Sequence, residues 1–252
     1  MSTIQNIAAY RFVTLDDVDA VAVRVKSLCQ DLALKGTVLV SPEGINIFLA
    51  GLSEGIDAFL SALQQDPRFA GLTVKFSESE FIPFKRLRVK RKQEIITYRD
   101  ARLKPEAGRA PSVDPETLAR WLTQGHDDAG RDVVLLDTRN IDEVVYGSFE
   151  KALVFPINRF TDLPQAVELL KPELEGKTVV SFCTGGIRCE KSVLRMQSDG
   201  FENCYQLEGG ILGYFEKVGG IHYDGRCFVF DDRIALDPKL QPLITVPGFD
   251  AA

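Results

Sequence analysis

Two hydrophobic periods alternate along this chain, and their order predicts its architecture. Residues 4–13 are apolar and β-favouring, whereas Val18, Val21, Val25 and Leu28 recur at spacings of three and four, as on a helix with one buried stripe. Asp16 and Asp17 stand where the N-cap of that helix is expected. A strand over 37–40, the turn Ser41-Pro42-Glu43-Gly44 and a strand over 45–50 follow. A helix capped by Ser53 then runs through Leu63 and ends before Pro67, and residues 73–76 form a fourth strand. The order β-α-β-β-α-β predicts a ferredoxin-like α+β domain, a split βαβ unit.

The second half has a different rhythm. It reads as a short helix over 115–122, a buried strand over 132–137 that ends in Asp137, a short helix before 144–147 and a strand over 152–155. A helix over 163–170, a strand over 178–182, a helix over 188–199 and a strand over 204–207 follow. Gly209-Gly210-Ile211 then opens a last helix. Strands alternating with helices predict an α/β domain with a mostly parallel sheet, whose ligands bind beyond the carboxyl ends of strands. Between the halves, 101–115 carries Pro105, Gly108, Pro111 and Pro115 and reads as a linker. The expected division is 1–100, a linker over 101–115, a second domain over 116–220 and an extension over 221–252.

Composition narrows the setting. With 252 residues, 45% hydrophobic and 26% charged, the chain has the balance of a globular protein long enough for two domains. No apolar run approaches the ~20 residues of a membrane span, and the first residues lack the basic start and apolar core of a signal peptide. Five cysteines, none in a C-x-x-C pair, argue against a disulfide framework or a zinc site and for reduced thiols in the cytoplasm. Net charge is −6, yet nine basic residues against Glu94 and Asp100 give the segment 85–104 a net +7 and leave −13 for the rest. The apolar and basic alternation of 84–89 suits a strand with one charged face. Lys85, Arg86, Arg88, Lys90, Arg91 and Lys92 are therefore candidate phosphate contacts, although a charge run is more often a solvated face.

The chemistry concentrates in Phe182-Cys183-Thr184-Gly185-Gly186-Ile187-Arg188-Cys189-Glu190-Lys191. A strand feeds a cysteine, two glycines and an arginine at a helix start, so backbone N–H groups and the positive helix end aim at the Cys183 sulfur and favour its thiolate. The expected anion loop is Thr184, Gly185, Gly186, Ile187 and Arg188. Four residues separate cysteine from arginine, one fewer than in a tyrosine-phosphatase loop, so the ring suits a persulfide sulfur or a small oxyanion better than a phosphoryl group. Arg188 either orients the bound anion or pairs with Asp137 or another acid. Asp137 and Arg139 end a central strand and read as structural support. Cys189 either resolves an oxidised or persulfidated Cys183 or packs the helix. Cys29 and Cys204 read as small buried hydrophobes, and neither His126 nor His222 sits in a metal or triad pattern.

These residues carry a resemblance. Cys183 to Lys191, Leu136 to Asn140 with Glu143 and Gly147, Gly209-Gly210-Ile211, Ser41 to Asn46 and Cys227 to Asp231 resemble the rhodanese-domain proteins of the tRNA uridine hydroxylase family. The resemblance runs from about Val38 to Arg233. It implies an N-terminal ferredoxin/acylphosphatase-like domain, then a rhodanese-like domain, and an EC 1.14 oxidoreductase that makes 5-hydroxyuridine at the tRNA wobble position. It also implies an essential Cys183, as thiolate or persulfide, and molecular oxygen as co-substrate, with no other cofactor evident and tRNA rather than DNA or membrane as partner. Longer relatives carry a cysteine-rich tail, but no cysteine follows Cys227, so no zinc site of that kind is expected. Two further readings stand beside this one: a sulfurtransferase working through a Cys183 persulfide, and a non-catalytic binding module. The RNA reading requires the basic strand and the Cys183 loop to face one cleft.

Overall fold

Strand β1 (Ile4–Phe12), helix α1 (Val18–Asp31), strands β2 (Lys35–Ser41) and β3 (Gly44–Leu52), helix α2 (Ser53–Gln64) and strand β4 (Val74–Ser79) form the first domain of the computed structural model, which describes residues 3–243. The sheet order is β4-β1-β3-β2, with antiparallel neighbours throughout. Strand β5 (Leu87–Arg91) adds a fifth member, parallel to β2 at the edge. Period two divides the sheet between two environments. Ile7, Val38, Val40, Ile45, Ile47 and Leu49 are buried against Val21, Val25, Cys29, Ile56, Phe59 and Leu63 of the helices. The alternate positions turn toward the second domain. Two expected caps differ. Asp17 stands at the N-cap of α1 but makes no capping bond, because its carboxylate is drawn into a paired contact with the Arg68 guanidinium. Strand β3 runs directly into α2, so extended Leu52 takes the N-cap and Ser53 is already helical.

The second domain comprises β6 (Ser112–Val113), α3 (Pro115–Gln124), β7 (Val133–Asp137), α4 (Ile141–Val144), β8 (Gly147–Phe149), β9 (Leu153–Val154), α5 (Leu163–Leu169), α6 (Lys171–Leu174), β10 (Thr178–Phe182), α7 (Ile187–Ser198), β11 (Cys204–Leu207) and α8 (Gly210–Val218). Its five-stranded sheet, β6-β11-β10-β7-β9, is entirely parallel. Every residue of central β10 is buried, which is why that segment carries no polar alternation. Residues 101–115, expected as a linker, are packed: Leu103 and Ala110 are buried with Leu136, Val179 and Val193, and β6 is the sheet's edge strand. Beyond α8, strand β12 (Tyr223–Gly225) pairs with β8, and β13 (Cys227–Phe228) pairs with β14 (Ala235–Leu236). This extension also reaches the first domain, where Arg233 donates to the Ser77 hydroxyl at 2.6 Å and the Asp232 N–H to the Pro83 carbonyl at 3.1 Å. Among the described residues no helix is long and apolar enough to cross a membrane.

Candidate active site

Central strand β10 delivers Cys183 at its carboxyl end, and helix α7 begins four residues later. The turn between them is tight because Gly186, at the N-cap of α7, adopts φ +99°, a conformation open to glycine. Its N–H donates to the Cys183 sulfur at 3.1 Å. The loop is clamped from α8: the Ile211 N–H donates to the Cys183 carbonyl at 2.9 Å and the Leu212 N–H to the Thr184 carbonyl at 3.0 Å. Gly210 makes this clamp possible. At φ +62°, a Cβ there would stand 2.5 Å from the Cys183 carbonyl oxygen and 2.8 Å from the Gly186 nitrogen. The Thr184 hydroxyl donates to the Phe228 carbonyl at 3.3 Å, fastening the loop to the extension.

Burial opposes charge on the Cys183 sulfur, yet the balance falls the other way. A hydrogen bond from the Cys189 thiol, the Arg188 charge and the backbone N–H groups of Arg188 and Gly186 lower its pKa to about 5. Burial and the neighbouring thiolate push Cys189 well up, so Cys189 stays a protonated donor. Its sulfur also lies 3.6 Å from the Thr138 hydroxyl. Cys183 is thus a thiolate near neutral pH, held in a hydrogen-bonded nest. By contrast, burial pushes the Cys227 thiol up to about 12.

The structure resolves the two expectations for Arg188. Its guanidinium forms a paired salt bridge with Glu143, at 2.5 and 2.7 Å, with both side chains buried. It therefore supports the loop by charge and position, with one N–H of each of those two nitrogens given to the carboxylate. Asp137 and Arg139 pair with each other at 2.6 Å, fully buried, and reach the Ser148 hydroxyl and Gly147 carbonyl. They brace the start of β8 and do not line the cavity.

That cavity, about 480 Å³, lies between the two domains. Cys183, Thr184, Gly185, Ile187 and Arg188 form one side; Tyr10, Phe12, Leu39, Asn46 and Phe48 of the first sheet form the opposite wall; Phe230 stands at 61% exposure on the rim. The volume is that of a pocket for one small organic ligand. Two residues just past the loop lock the domains around it. Buried Glu190 accepts from Arg109 at 2.9 Å, the Ala110 N–H at 3.0 Å and the Tyr10 hydroxyl at 3.3 Å. Buried Lys191 donates to Glu43, Glu94 and the Ile96 carbonyl. Sequence reasoning assigned no role to Tyr10, Asn46, Phe48, Glu190 or Lys191. The available signal was that the first three occupy strand positions out of phase with the core.

None of the six candidate phosphate contacts lines the cavity, and β5 divides them. Register pairs Arg88 with Thr37 and Lys90 with Leu39, so both project from the sheet face that carries Leu39, Asn46 and Phe48. Arg91 projects from the helix face and pairs with Asp19 of α1. Lys85, Arg86 and Lys92 are exposed at the two ends of the strand and, among the described residues, form no ion pair. Arg88 and Lys90 accordingly share a sheet face with the cavity wall opposite Cys183, at the sheet's edge and outside the cavity itself. Among the described residues no cluster of three or more His, Cys, Asp and Glu side chains is arranged to hold a metal ion.

Comparison with known proteins agrees with this geometry. Residues 4–95 match the UPF0176 acylphosphatase like domain family and residues 115–217 the Rhodanese-like domain family. The chain is 59% identical to the tRNA uridine(34) hydroxylase of Xanthomonas axonopodis pv. citri, across 95% of this chain and 96% of that protein. It is 58% identical to the tRNA uridine(34) hydroxylase of Cupriavidus taiwanensis, across 95% of this chain and 85% of that one. A solved rhodanese-like domain from Anabaena sp. aligns with a TM-score of 0.37 and 22% identity over 46% of this chain and 79% of that one, a likeness too slight to carry an argument. The two-domain order, the thiolate loop and this extent of identity agree: the chain belongs to the tRNA uridine(34) hydroxylase family.

Proposed function

We propose that this protein hydroxylates the wobble uridine of tRNA at C5, using molecular oxygen and the thiolate of Cys183, an oxidoreductase reaction of the EC 1.14 class. The observation that carries the reading is the position of Cys183. A thiolate held at about pKa 5 lines a nucleobase-sized cavity formed jointly by both domains. A rhodanese-type loop serving sulfur transfer alone would need only the second domain, whereas Glu190 and Lys191 tie this loop to the first. An anticodon base is single-stranded and can be splayed into such a cavity. There the thiolate is suited to add to the electron-poor C6 of uracil, which raises electron density at C5; once C5 has taken the oxygen, loss of the C5 proton expels the thiolate and restores the 5,6 double bond. The overall change consumes one O2 and two reducing equivalents per uridine: one oxygen atom enters the C5–H bond and the other leaves as water.

Nucleoside mass spectrometry of tRNA from cells lacking the gene, rescued with wild type or Cys183→Ser, tests the proposal. Wild type should restore 5-hydroxyuridine or nucleosides built on it, labelled when the cells grow under 18O2, and Cys183→Ser should not. Unlabelled product, or full restoration by Cys183→Ser, would refute it. If the purified protein instead passes sulfane sulfur from thiosulfate to a thiol while tRNA stays unmodified, the sulfurtransferase reading takes its place.

A further inference from the structure

The first domain carries helices on one face of its sheet only, and the opposite face bears features that the reaction at Cys183 does not use. From the outer edge inward, that face presents Arg88 and Lys90 on β5, Thr37 and Leu39 on β2, Phe48 and Asn46 on β3, and Ala8 and Tyr10 on β1. Arg88 and Lys90 are exposed and free of ion pairs among the described residues, unlike Arg91 on the other face. Phe48, half-buried, lines the cavity between two small neighbours in register, Ala8 and Thr37. Buried Asn46 also lines the cavity, and its amide nitrogen makes one long bond, 3.5 Å, to the Ile95 carbonyl. A side-chain amide can both donate and accept, which matches the imide edge of uracil.

We propose that this open sheet face is a track for a single RNA strand. Arg88 and Lys90 hold phosphates at its edge, Phe48 stacks a base, and Asn46 reads the base that reaches Cys183. The proposal rests on the function proposed above and adds where on the protein the strand runs. Two strand spacings, about 10 Å, separate β5 from β3, so the cations and the ring serve neighbouring parts of one strand. The order of chemistry fits single-stranded nucleic acid: charge for the backbone, an aromatic plane for a base, an amide for a base edge. An acidic peptide would satisfy the two cations and leave the ring and the amide without a partner.

The test is binding of a fluorescent anticodon stem-loop RNA, with uridine at the wobble position, to the full chain over a series of salt concentrations. Loss of two single-strand phosphate contacts should reduce the slope of log affinity against log salt by about 1.4 in Arg88→Ala/Lys90→Ala. Arg91→Ala, on the opposite face of the strand though adjacent to Lys90 in sequence, should leave the slope unchanged. Phe48→Ala should weaken binding about 5- to 150-fold with the slope intact, the effect of losing one stacked base. Phe48→Leu, which keeps apolar bulk and folding, should behave as Phe48→Ala does, and Phe48→Tyr should bind as wild type. An unchanged slope in the double variant, or wild-type affinity in both Phe48→Ala and Phe48→Leu, overturns the track while leaving the hydroxylation reading standing. Failure of the wild-type chain to bind the RNA at any salt concentration overturns both.

Discussion

Cys189 is the sharpest place to probe how the loop makes a thiolate. At pH 7 a thiol held at about pKa 5 instead of the ordinary 9.0 gains on the order of 3 kcal/mol from its ionised form. One hydrogen bond to a charged group contributes roughly 1.5–3 kcal/mol, or about one to two pKa units. Cys189→Ala should therefore raise the Cys183 pKa to roughly 6–7, whereas Cys189→Ser, which keeps a donor, should raise it less. The ultraviolet absorbance of the thiolate, followed across pH and referenced to Cys183→Ser, reads this directly. The same depression makes a stability prediction with a definite sign. Because the folded-state pKa lies below the unfolded one, the stabilisation is complete above the unfolded thiol pKa and is lost as pH falls through about 5. Wild type should thus lead Cys183→Ser in chemical denaturation at pH 9 and lose that lead toward pH 5. A Cys183 pKa that does not move in Cys189→Ala would refute the assignment of Cys189 as the donor. The depression would then rest on Arg188 and the backbone alone.

Two further substitutions test the frame of the loop. Gly210→Ala places a methyl 2.5 Å from the Cys183 carbonyl in a left-handed conformation. That should cost more than the ~1–2 kcal/mol of the conformation itself, and the displaced loop should lose its thiolate absorbance; an unchanged pH titration would refute the clamp. Glu143→Leu strands the buried Arg188 charge and should cost about 3–5 kcal/mol, or on the order of 10 °C in thermal unfolding. Glu143→Gln should cost less, and wild-type melting of both variants would show that the pair contributes nothing.

What could be read in the sequence follows the range of the forces involved. Both element orders were legible because hydrophobic period is a local property, and the cysteine loop was legible because strand, glycines and helix start are contiguous from Phe182 to Lys191. The partner of Arg188 was not. Asp137 and Glu143 are both near in sequence, and only the path of the chain after Asn140 decides that Glu143 meets the guanidinium while Asp137 turns to Arg139. The basic run 85–92 was visible as charge, yet its division into a cavity face and a helix face depends on the strand's starting register. A shift of one residue would have exchanged Arg88 and Lys90 for Leu87, Val89 and Arg91.

The motifs that carried the resemblance are far apart in the chain, and the structure supplies the reason they occur together. Glu43 of the 41–46 turn accepts from Lys191, eight residues past Cys183; Gly210 admits the backbone clamp on Cys183; Phe228 of the 227–231 segment takes the Thr184 hydroxyl, and Phe230 closes the rim. Each contact holds one side of the same cavity. A parallel-sheet domain with a thiolate loop is sufficient to stabilise a charged sulfur; in this chain Cys183 is fully buried and the first domain supplies the opposite wall of its cavity. Here both residues that follow the loop's Cys189 reach toward the first domain: buried Glu190, held by Arg109 and Ala110 on its own side, accepts from Tyr10, and buried Lys191 finds Glu43, Glu94 and the Ile96 carbonyl there. Burying a charge is costly unless it is matched, so any docking that took Glu43 and Glu94 away would leave Lys191 unpaired. The ion pairs thereby favour the arrangement in which Tyr10, Asn46 and Phe48 stand opposite the sulfur. The segment that makes the thiolate thus also selects the wall that the substrate must fit.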